Sequence, residues 1–307
     1  MWKFIRNMAV KEPKRVLFVN SEILPYLPET KISTIGRYLP QFIQEGGKEI
    51  RSFMPRYGCI NERRNQLHEV IRLSGMNIVI DDIDRPLIIK VSSIPSARMQ
   101  VYFIDNEDYF KRKQVYFDEA GGFMADNAER AAFFARGVLE TVKKLRWKPD
   151  VVHCNGWMSH IVPLYLKKVY KNDPLFSSSK VVVSLYDDDC MQERFSPDLK
   201  SKVMMTGVRS RDVEHICADE PTGTNLAKLA VQYSDGVILG SPEIDDQLSG
   251  YIGKLGLPVL PFMPVDAVTN TYVKKYNGFY DQILQKNSDA RKDNKKDVKK
   301  DVKNTVK

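Results

Sequence analysis

The 307-residue sequence lacks the features that mark several large classes of protein. No apolar run approaches the roughly 18 residues needed to cross a bilayer, and the first residues contain no continuous apolar stretch of a secretory signal. The four cysteines include no Cys-x-x-Cys pair, which favours reduced thiols over a disulfide framework. These absences predict a cytoplasmic protein that does not interact with a membrane.

Familiar chemical motifs are also missing. The sequence contains no GxGxxG motif, no P-loop and no nucleophile elbow. His215 and Cys217 are too isolated for zinc, which normally takes four ligands. The acidic run at residues 187–189 could hold a divalent ion, but such runs also serve as turn and cap residues, and we favour that interpretation. The sequence therefore predicts no metal and no cofactor.

The net charge of +8 is concentrated towards one end of the chain. The last 21 residues, 287–307, contain eight Lys or Arg and four Asp, so they contribute half of it. This segment has no aromatic residue, a composition typical of a disordered, solubilising tail. No aromatic–basic pattern of an RNA-binding module occurs elsewhere, which argues against nucleic acid as a partner.

Six short apolar runs recur along the chain, and helical stretches lie between many of them. Most of the runs are continuous, as expected of strands covered on both faces in a parallel sheet. This alternation predicts an α/β fold with a single Rossmann-like, doubly wound parallel sheet. The pattern between residues 60 and 105 indicates a β-rich insertion or hairpin. The six runs are RVLFVN (15–20), EIRSFM (49–54), MQVYFID (99–105), DVVHC (150–154), KVVVSLY (180–186) and DGVILG (235–240).

Two helices are well marked in the sequence. One begins at Asp126, where Asp126 and Glu129 have the spacing of an N-terminal capping pair. The other covers residues 269–284 and has a broad stripe of large apolar side chains. We predict four segments: a lead (1–13), a domain (14–265), a docking helix (266–286) and the tail (287–307). The stripe consists of Tyr272, Tyr276, Phe279, Tyr280 and Ile283.

Polar clusters follow several of the predicted strands. In open α/β sheets, ligands bind beyond the carboxyl ends of the strands, so these clusters could line one cleft. Each of them, taken alone, also fits a loop or a helix cap. The clusters are Asn20–Glu22, Asp105–Glu107, His153–Trp157, Tyr186–Asp189 and Gly240–Glu243.

Several stretches, in the same order, resemble the N-terminal half of bacterial glycogen synthases and plant starch synthases. These are ADP-glucose-dependent retaining glucosyltransferases of the two-lobed GT-B fold. The resemblance covers roughly residues 14–250. Its clearest stretches are VLFVNSEILPY (16–26), FMPRYG (53–58), YFIDNEDYFKRKQVY (102–116), DNAERAAFFARGVLE (126–140), WKPDVVHCNGWMSHIVPLYLK (147–167) and NLAKLAVQYSDGVILGSPE (225–243).

The loop after the first strand departs from the family pattern. The family has Lys-x-Gly-Gly-Leu there, whose lysine and glycines approach the donor diphosphate. In this chain Pro28 stands near the lysine position, and Thr30 and Lys31 stand near the glycines. Lys31 would restore some positive charge, but side chains at the glycine positions should block close approach of the backbone.

Two further motifs are altered. In the family's His-x-x-Asp-Trp-His motif, His153 and Trp157 are kept, but Gly156 replaces the aspartate and Met158 replaces the last histidine. The resemblance implies that this histidine touches the transferring sugar, a contact that methionine cannot make. The family's Thr-Ile-His-Asn stretch has Tyr186 and Asp187 at its last two positions.

The resemblance still implies a sugar cleft. Asp126, Asn127 and Arg130, at the start of the 126–145 helix, could bind sugar as in the family. A helix-capping box with an exposed arginine explains these three residues equally well. We name no confident catalytic residue. The candidate cleft residues are Asp126, Asn127, Arg130, His153, Asn155, Trp157, Tyr186, Asp187, Asn225, Lys228 and Ser241.

The second lobe of a GT-B enzyme should begin near residue 260, where this chain has one aromatic helix and the charged tail. We therefore expect that the lobe is absent and that the helix covers the surface it would hide. One hypothesis is a non-catalytic protein that binds α-glucan or a protein partner, or regulates glycogen metabolism. The other is an active ADP-glucose-dependent glucosyltransferase, alone or completed by another chain. The altered motifs favour the first hypothesis and argue against ADP-glucose as a ligand.

Overall fold

The computed structural model describes residues 12–217, 219–265 and 271–285. Most of the predicted lead, the beginning of the predicted docking helix and the whole predicted tail lie outside these residues. The described helices and strands are β1 (Arg15–Asn20), α1 (Lys31–Glu45), β2 (Glu49–Pro55), β3 (His68–Glu69), β4 (Met76–Ile80), β5 (Ile83–Ile94), β6 (Met99–Asp105), α2 (Glu107–Phe110), α3 (Asn127–Lys144), β7 (Val151–Asn155), α4 (Val162–Lys168), β8 (Lys180–Leu185), α5 (Leu199–Val203), α6 (Gly223–Gln232), β9 (Gly236–Leu239), α7 (Asp246–Leu255), β10 (Val259–Leu260) and α8 (residues 271–285). Three 3₁₀ turns cover Pro95–Ala97, Trp157–Ser159 and Ser210–Ile216.

One mostly parallel sheet organises the molecule. Its strand order is β10-β9-β8-β7-β1-β2-β6-β5-β3, and β4 pairs with β5. All neighbouring pairs from β10 to β6 are parallel, whereas β3, β4 and β5 pair antiparallel. The predicted α/β class with a Rossmann-like sheet is confirmed, and each predicted strand is present within about two residues.

The expected β-rich insertion is a hairpin of β4 and β5. Asp81 and Asp82 form its turn with φ of +51° and +62°, as a two-residue turn that follows the strand twist requires. Lys202 lies 2.8 Å from Asp81 and 3.1 Å from Glu129, so one cation joins the hairpin to α3.

Alternate residues of the central strands face two apolar layers. Leu17 and Val152 belong to a large cluster that includes α3, α4 and α6. Val16 and Val151 belong to a second cluster that includes α1 and α8. This alternation is the ordinary consequence of the two-residue repeat of a strand.

Helix α8 lies on the second layer, and its aromatic stripe is buried there. At its edge, Lys48 donates to Asn277 at 2.7 Å and lies 3.8 Å from Asp281. The proposed division between the domain and a docking helix stays a prediction. Within the described ranges, no helix has the length and apolar character to cross a membrane. The buried side chains of α8 are Tyr272, Val273, Tyr276, Phe279, Tyr280 and Ile283.

Candidate functional site

A cavity of about 290 Å³ opens beyond the carboxyl ends of β1, β7 and β8. The parallel register places Asn20 beside Asn155 and Asn155 beside Ser184, so these three strands end at one level. Three of the five predicted polar clusters contribute to the cavity. Its walls are Glu22, Thr30, Lys31, Ile32, Tyr116, Phe117, Trp157, Tyr186, Asp187, Asp188, Asp189 and Cys190.

The loop that corresponds to the family's diphosphate loop is fixed as the start of α1. Thr30 is the N-cap residue, and its hydroxyl accepts from the Ser33 amide at 3.0 Å. The Ser33 hydroxyl accepts in turn from the Thr30 amide at 2.8 Å, which completes a capping box. The Thr30 hydroxyl also donates to Glu22 at 2.6 Å. The segment from Pro28 to Lys31 is therefore held by side chains that a glycine loop does not have.

The lining of this cavity is acidic. It includes Asp187, Asp188 and Asp189 in succession, and the buried Glu22 beside Thr30. Loss of solvation raises the pKa of Glu22 and raises the pKa of Asp188 to about 7, with further contributions at Asp188 from the neighbouring carboxylates. Lys31, at the start of α1, is a cation in the same lining. An anionic ligand would meet this excess of carboxylates.

Gly156 and Met158 cannot stand in for the family's acid and histidine. Gly156 has φ of +87°, and a Cβ there would lie 2.5 Å from the Ser21 hydroxyl oxygen. An aspartate at this position would therefore be strained and would collide with Ser21. Met158 is fully buried in the core, and only its amide reaches the same hydroxyl, at 3.0 Å.

Trp157 is the element of this motif that reaches the cavity. Its ring centroid lies 5.1 Å from that of Tyr116, 5.7 Å from Phe123 and 5.5 Å from Phe195. Such offset and edge-on contacts fix the position of the ring. The cavity therefore has one rigid aromatic side and one acidic side.

His153 lies away from the cavity, within the layer under α8. Its Nδ1 is 2.8 Å from the Tyr280 hydroxyl and its Nε2 is 2.6 Å from the Ser184 hydroxyl. Complete burial lowers the pKa of His153 to about 3, so the ring is neutral. His153 was predicted to line a sugar cleft. The structure instead places it on the same strand face as Val151, which lies against α8.

The predicted capping pair at the start of α3 is wrong. Asp126 is the N-cap residue but its side chain makes no cap hydrogen bond. Its carboxylate instead lies 2.5 Å from the Arg112 guanidinium. Glu129 accepts from the Tyr109 hydroxyl at 2.8 Å. Asp126 lines a separate, open groove beside residues 118–125 and does not reach the cavity.

Arg130 is completely buried, which overturns the expectation of an exposed arginine. It donates to the carbonyl oxygens of Tyr109 at 3.0 Å and Val115 at 2.7 Å, and to Asn127 Oδ1 at 2.7 Å. Asn127 donates to the Tyr116 carbonyl at 2.9 Å. These two side chains shape the loop that carries Tyr116, and neither lines the cavity.

A polar network supports the cavity from below. Asn155 donates to Asn20 Oδ1 at 3.0 Å and to the Ile32 carbonyl at 3.2 Å, and it accepts from the Tyr186 hydroxyl at 2.5 Å. It therefore ties the start of α1 to the end of β8. Ser241 has the same kind of role, since its hydroxyl accepts from the Asp187 amide at 3.1 Å.

The two remaining candidates belong to α6. Asn225 forms a capping box with Thr222, and Lys228 donates to Gln247 at 3.0 Å. Neither lines the cavity. Of the candidate set, the structure thus brings Trp157, Tyr186 and Asp187 to the cavity wall.

Several cavity residues were not in the candidate set. Asp188 and Asp189 directly follow Asp187, so the acidic run itself was the available signal. Tyr116 and Phe117 follow no predicted strand, and only the buried Arg130 network explains their position. Within residues 12–217, 219–265 and 271–285, no group of three or more His, Cys, Asp or Glu is arranged to hold a metal ion.

A single Rossmann-like sheet, with its cavity at the carboxyl ends of the strands, defines one lobe of a GT-B glycosyltransferase. The family model of the starch synthase catalytic domain matches residues 15–258, and the chain belongs to this family. The resemblance seen in the sequence is therefore confirmed.

Curated relatives are called glycogen synthase. That of Chlorobium limicola is 40% identical over 174 residues, 56% of this chain and 36% of the relative. That of Chlorobium phaeovibrioides is 32% identical over 240 residues, 78% of this chain and 48% of the relative. The chain thus spans about half the length, or less, of these relatives.

A solved structure supports the fold. The catalytic domain of starch synthase IV from Arabidopsis thaliana, bound to ADP and acarbose, superposes with a TM-score of 0.65 at 18% sequence identity. The match covers 81% of this chain and 51% of that chain. At this identity the likeness establishes a shared fold.

Proposed function

We propose that this chain is a cytoplasmic, glucan-binding member of the glycogen and starch synthase family that does not transfer glucose from ADP-glucose by itself. It serves glucan metabolism as a binding or regulatory protein. The observation that carries the proposal is the acidic lining of the cavity, which Asp187, Asp188 and Asp189 share with the capped start of α1.

The electrostatic argument concerns the donor. A nucleoside diphosphate sugar carries two negative charges on its diphosphate, and like charges in a partly buried site repel strongly. Lys31 supplies one cation, and the Thr30 side chain already uses the amide of Ser33. The cavity therefore disfavours ADP-glucose.

The same cavity suits an uncharged saccharide. Phe117 offers a half-buried aromatic ring, the buried rings of Trp157 and Tyr116 also line the cavity, and the carboxylates are hydrogen-bond acceptors for sugar hydroxyls. Acceptors of this kind cost a neutral ligand no charge repulsion. An α-glucan chain end fits this combination of aromatic surface and acceptors.

The alternative is an ADP-glucose-dependent α-1,4-glucan glucosyltransferase, alone or completed by another chain. Lys31 favours it, since this cation lies at the cavity beside the start of α1. Relatives and the starch synthase IV structure, which is bound to ADP and acarbose, are consistent with either proposal.

Isothermal titration calorimetry of the full chain at pH 7 separates the proposals. The ligands are ADP-glucose and maltoheptaose, with cellohexaose as the matched β-linked control. Maltoheptaose binding without ADP-glucose binding is the expected result. Micromolar ADP-glucose binding followed by glucan extension would establish the alternative. Binding of neither ligand would overturn the glucan-binding proposal and a glucosyltransferase that works alone, and would leave a protein partner as the function.

A further inference from the structure

One buried hydrogen-bond donor in the lining of the 290 Å³ cavity is left without an acceptor. Trp157 is 1% exposed, and within the described part of the chain no atom accepts from its indole N–H. No other buried side-chain nitrogen or oxygen of this lining is unpaired among the described residues. An unpaired buried donor is costly to the folded chain, so a ligand that supplies an acceptor there gains affinity.

The surroundings of Trp157 explain why its N–H is unpaired. The indole ring packs against the rings of Phe123, Phe195 and Tyr116. The two phenylalanine rings have no oxygen or nitrogen. The Tyr116 hydroxyl is already engaged, because it donates to Glu22 at 3.1 Å. These neighbours therefore hold the indole in place without pairing its N–H.

A buried carboxylate lies at the end of the neighbouring strand. β1 and β7 are adjacent and parallel, and their register places Asn20 beside Asn155. Glu22 and Trp157 follow these two residues by the same two positions. The pairing continues past the strands, since the Ser21 amide donates to the Asn155 carbonyl at 2.8 Å. The carboxylate and the unpaired N–H therefore belong to adjacent strand ends and line the same cavity.

Glu22 can accept further hydrogen bonds. One of its carboxylate oxygens accepts from the Thr30 hydroxyl at 2.6 Å, and the other accepts from the Tyr116 hydroxyl at 3.1 Å. A carboxylate offers about four acceptor positions, so these two bonds leave capacity for a ligand. The cavity thus presents an acceptor and a donor from neighbouring strands.

This combination discriminates between ligand classes. A hydroxyl group both donates and accepts, so one hydroxyl can donate to Glu22 and accept from Trp157. An ammonium group only donates and would leave the indole N–H unpaired. An ionised phosphate only accepts, and it would meet the repulsion of the carboxylates. A neutral ligand rich in hydroxyl groups satisfies both protein groups.

We propose that Trp157 is a specificity-determining residue of the cavity: its N–H donates to a hydroxyl of the bound α-glucan, and this hydroxyl donates to Glu22. The role rests on the proposed glucan-binding function. The acidic lining by itself favours cations, and the unpaired N–H shifts the preference to a hydroxyl. Because the N–H is closed to solvent in the free chain, binding must open it to the cavity through a small shift of the ring or its neighbours.

NMR spectroscopy of the full wild-type chain, labelled with ¹⁵N in its tryptophan indoles, tests the contact. The chain has three tryptophans, and Trp157→Phe and Trp147→Phe identify two of the signals. Maltoheptaose should move the Trp157 N–H proton downfield, because a hydrogen bond to oxygen deshields it. The Trp147 N–H already donates to Glu49, so its signal should stay in place. An unmoved Trp157 signal at saturating maltoheptaose would overturn the proposal.

Calorimetry gives the contribution to affinity. Maltoheptaose should bind Trp157→Phe about tenfold more weakly than wild type, since the ligand then gains no bond from the indole. Trp147→Phe is the matched control and should bind like wild type, because Trp147 does not line the cavity. Equal affinities of Trp157→Phe and wild type would overturn the role of Trp157 and leave glucan binding standing.

A double-mutant cycle tests whether one hydroxyl contacts both groups. Glu22→Gln should also weaken maltoheptaose binding, because a neutral amide is a poorer acceptor than a carboxylate. If the two side chains hold the same hydroxyl, Glu22→Gln combined with Trp157→Phe loses less affinity than the product of the single losses. Losses that multiply fully would contradict the shared contact.

The stability of the free chain provides a readout without ligand. Both tryptophans are buried, so Trp→Phe removes a similar ring volume at each. Trp147→Phe also loses the bond to Glu49, and its urea midpoint should fall further than that of Trp157→Phe. An equal or larger fall for Trp157→Phe would mean that its N–H is already paired. If wild type binds no maltoheptaose, the proposed function fails together with the role of Trp157, whereas binding that is independent of Trp157 removes that role alone.

Discussion

Two polar clusters at the ends of the same strands differ in how completely their hydrogen bonds are used. His153, on β7, is enclosed between Tyr280 and Ser184, and both of its ring nitrogens have partners. Across the sheet edge, Asp187 and Asp189 face solvent without ion pairs among the described residues. The first cluster is closed and stabilises the fold, whereas the second is open and available to a ligand.

A residue kept from the family motif therefore need not mark a binding site. His153 matches the family motif, yet its environment makes it a neutral contact for α8. Asp187 replaces the asparagine of the family's Thr-Ile-His-Asn stretch, yet the acidic run that begins with it defines the character of the cavity. Four measurements test this contrast.

The largest effect is expected for Tyr280→Ala in α8. It removes a fully buried aromatic side chain over His153, so we expect a loss of about 3–5 kcal/mol in the free energy of unfolding. Tyr280→Phe should lose about 1–3 kcal/mol, because only the partner of His153 Nδ1 is removed. Urea denaturation measures both. Wild-type stability of Tyr280→Phe would mean that the closed cluster is not stabilising.

A second test restores the aspartate of the family motif. Gly156→Asp should destabilise the protein by about 1–3 kcal/mol for backbone strain, and by more because of the contact with Ser21. Gly121→Asp is the matched control, since Gly121 has nearly the same φ, +85°, with no atom within 4 Å of a built Cβ. The additional loss in free energy of unfolding for Gly156→Asp, relative to Gly121→Asp, measures the steric clash with Ser21. Equal losses would show that the motif could accept its acid.

Thr30→Ala tests how firmly the start of α1 is held. Loss of an N-cap costs about 1 kcal/mol, and the lost contact with the Glu22 carboxylate adds about 1 kcal/mol or more. Thr222→Ala is the paired control, since Thr222 caps α6 with the same kind of box and its hydroxyl donates to the amide oxygen of Asn225 at 2.9 Å, not to a carboxylate. Thermal or urea unfolding should show the larger loss for Thr30→Ala.

The fourth measurement concerns the dependence of stability on pH. Burial raises the pKa of Asp188 to about 7 in the folded chain, compared with its ordinary value of 3.8 in the unfolded chain. Between these values the folded chain holds more protons, so this group lowers the free energy of unfolding as pH rises from 4 to 7. Asp188→Asn should remove that slope, whereas the exposed control Asp84→Asn should keep it. Urea midpoints at pH 5 and pH 7.5 provide the comparison.

Sequence patterns predicted the sheet well because buried parallel strands need continuous apolar runs. β8, for example, is found at Lys180–Leu185 within the predicted run 180–186. The side-chain roles were harder to predict. Arg130 is buried and donates to carbonyl oxygens of a segment some 15 to 21 residues earlier in the chain. Asp126 forms an ion pair with Arg112 and does not cap its own helix. Such choices depend on tertiary partners, which local spacing does not encode.

The site of His153 shows the same limit. Alternation along β7 placed Val151 and His153 on one face, but only the packing of α8 decides what that face meets. The acidic run was visible as residues 187–189, and its significance appeared only when Glu22 and Phe117 joined it around one opening.

The capping box at Thr30 has one more consequence, for the thermodynamics of recognition. A glycine-rich loop loses conformational entropy when it closes over a ligand, and that loss weakens binding. Here the loss is incurred when α1 folds, since the segment from Pro28 to Lys31 is fixed beforehand by Ser33 and Glu22. A ligand therefore meets a preformed rim, and its association needs no closing step.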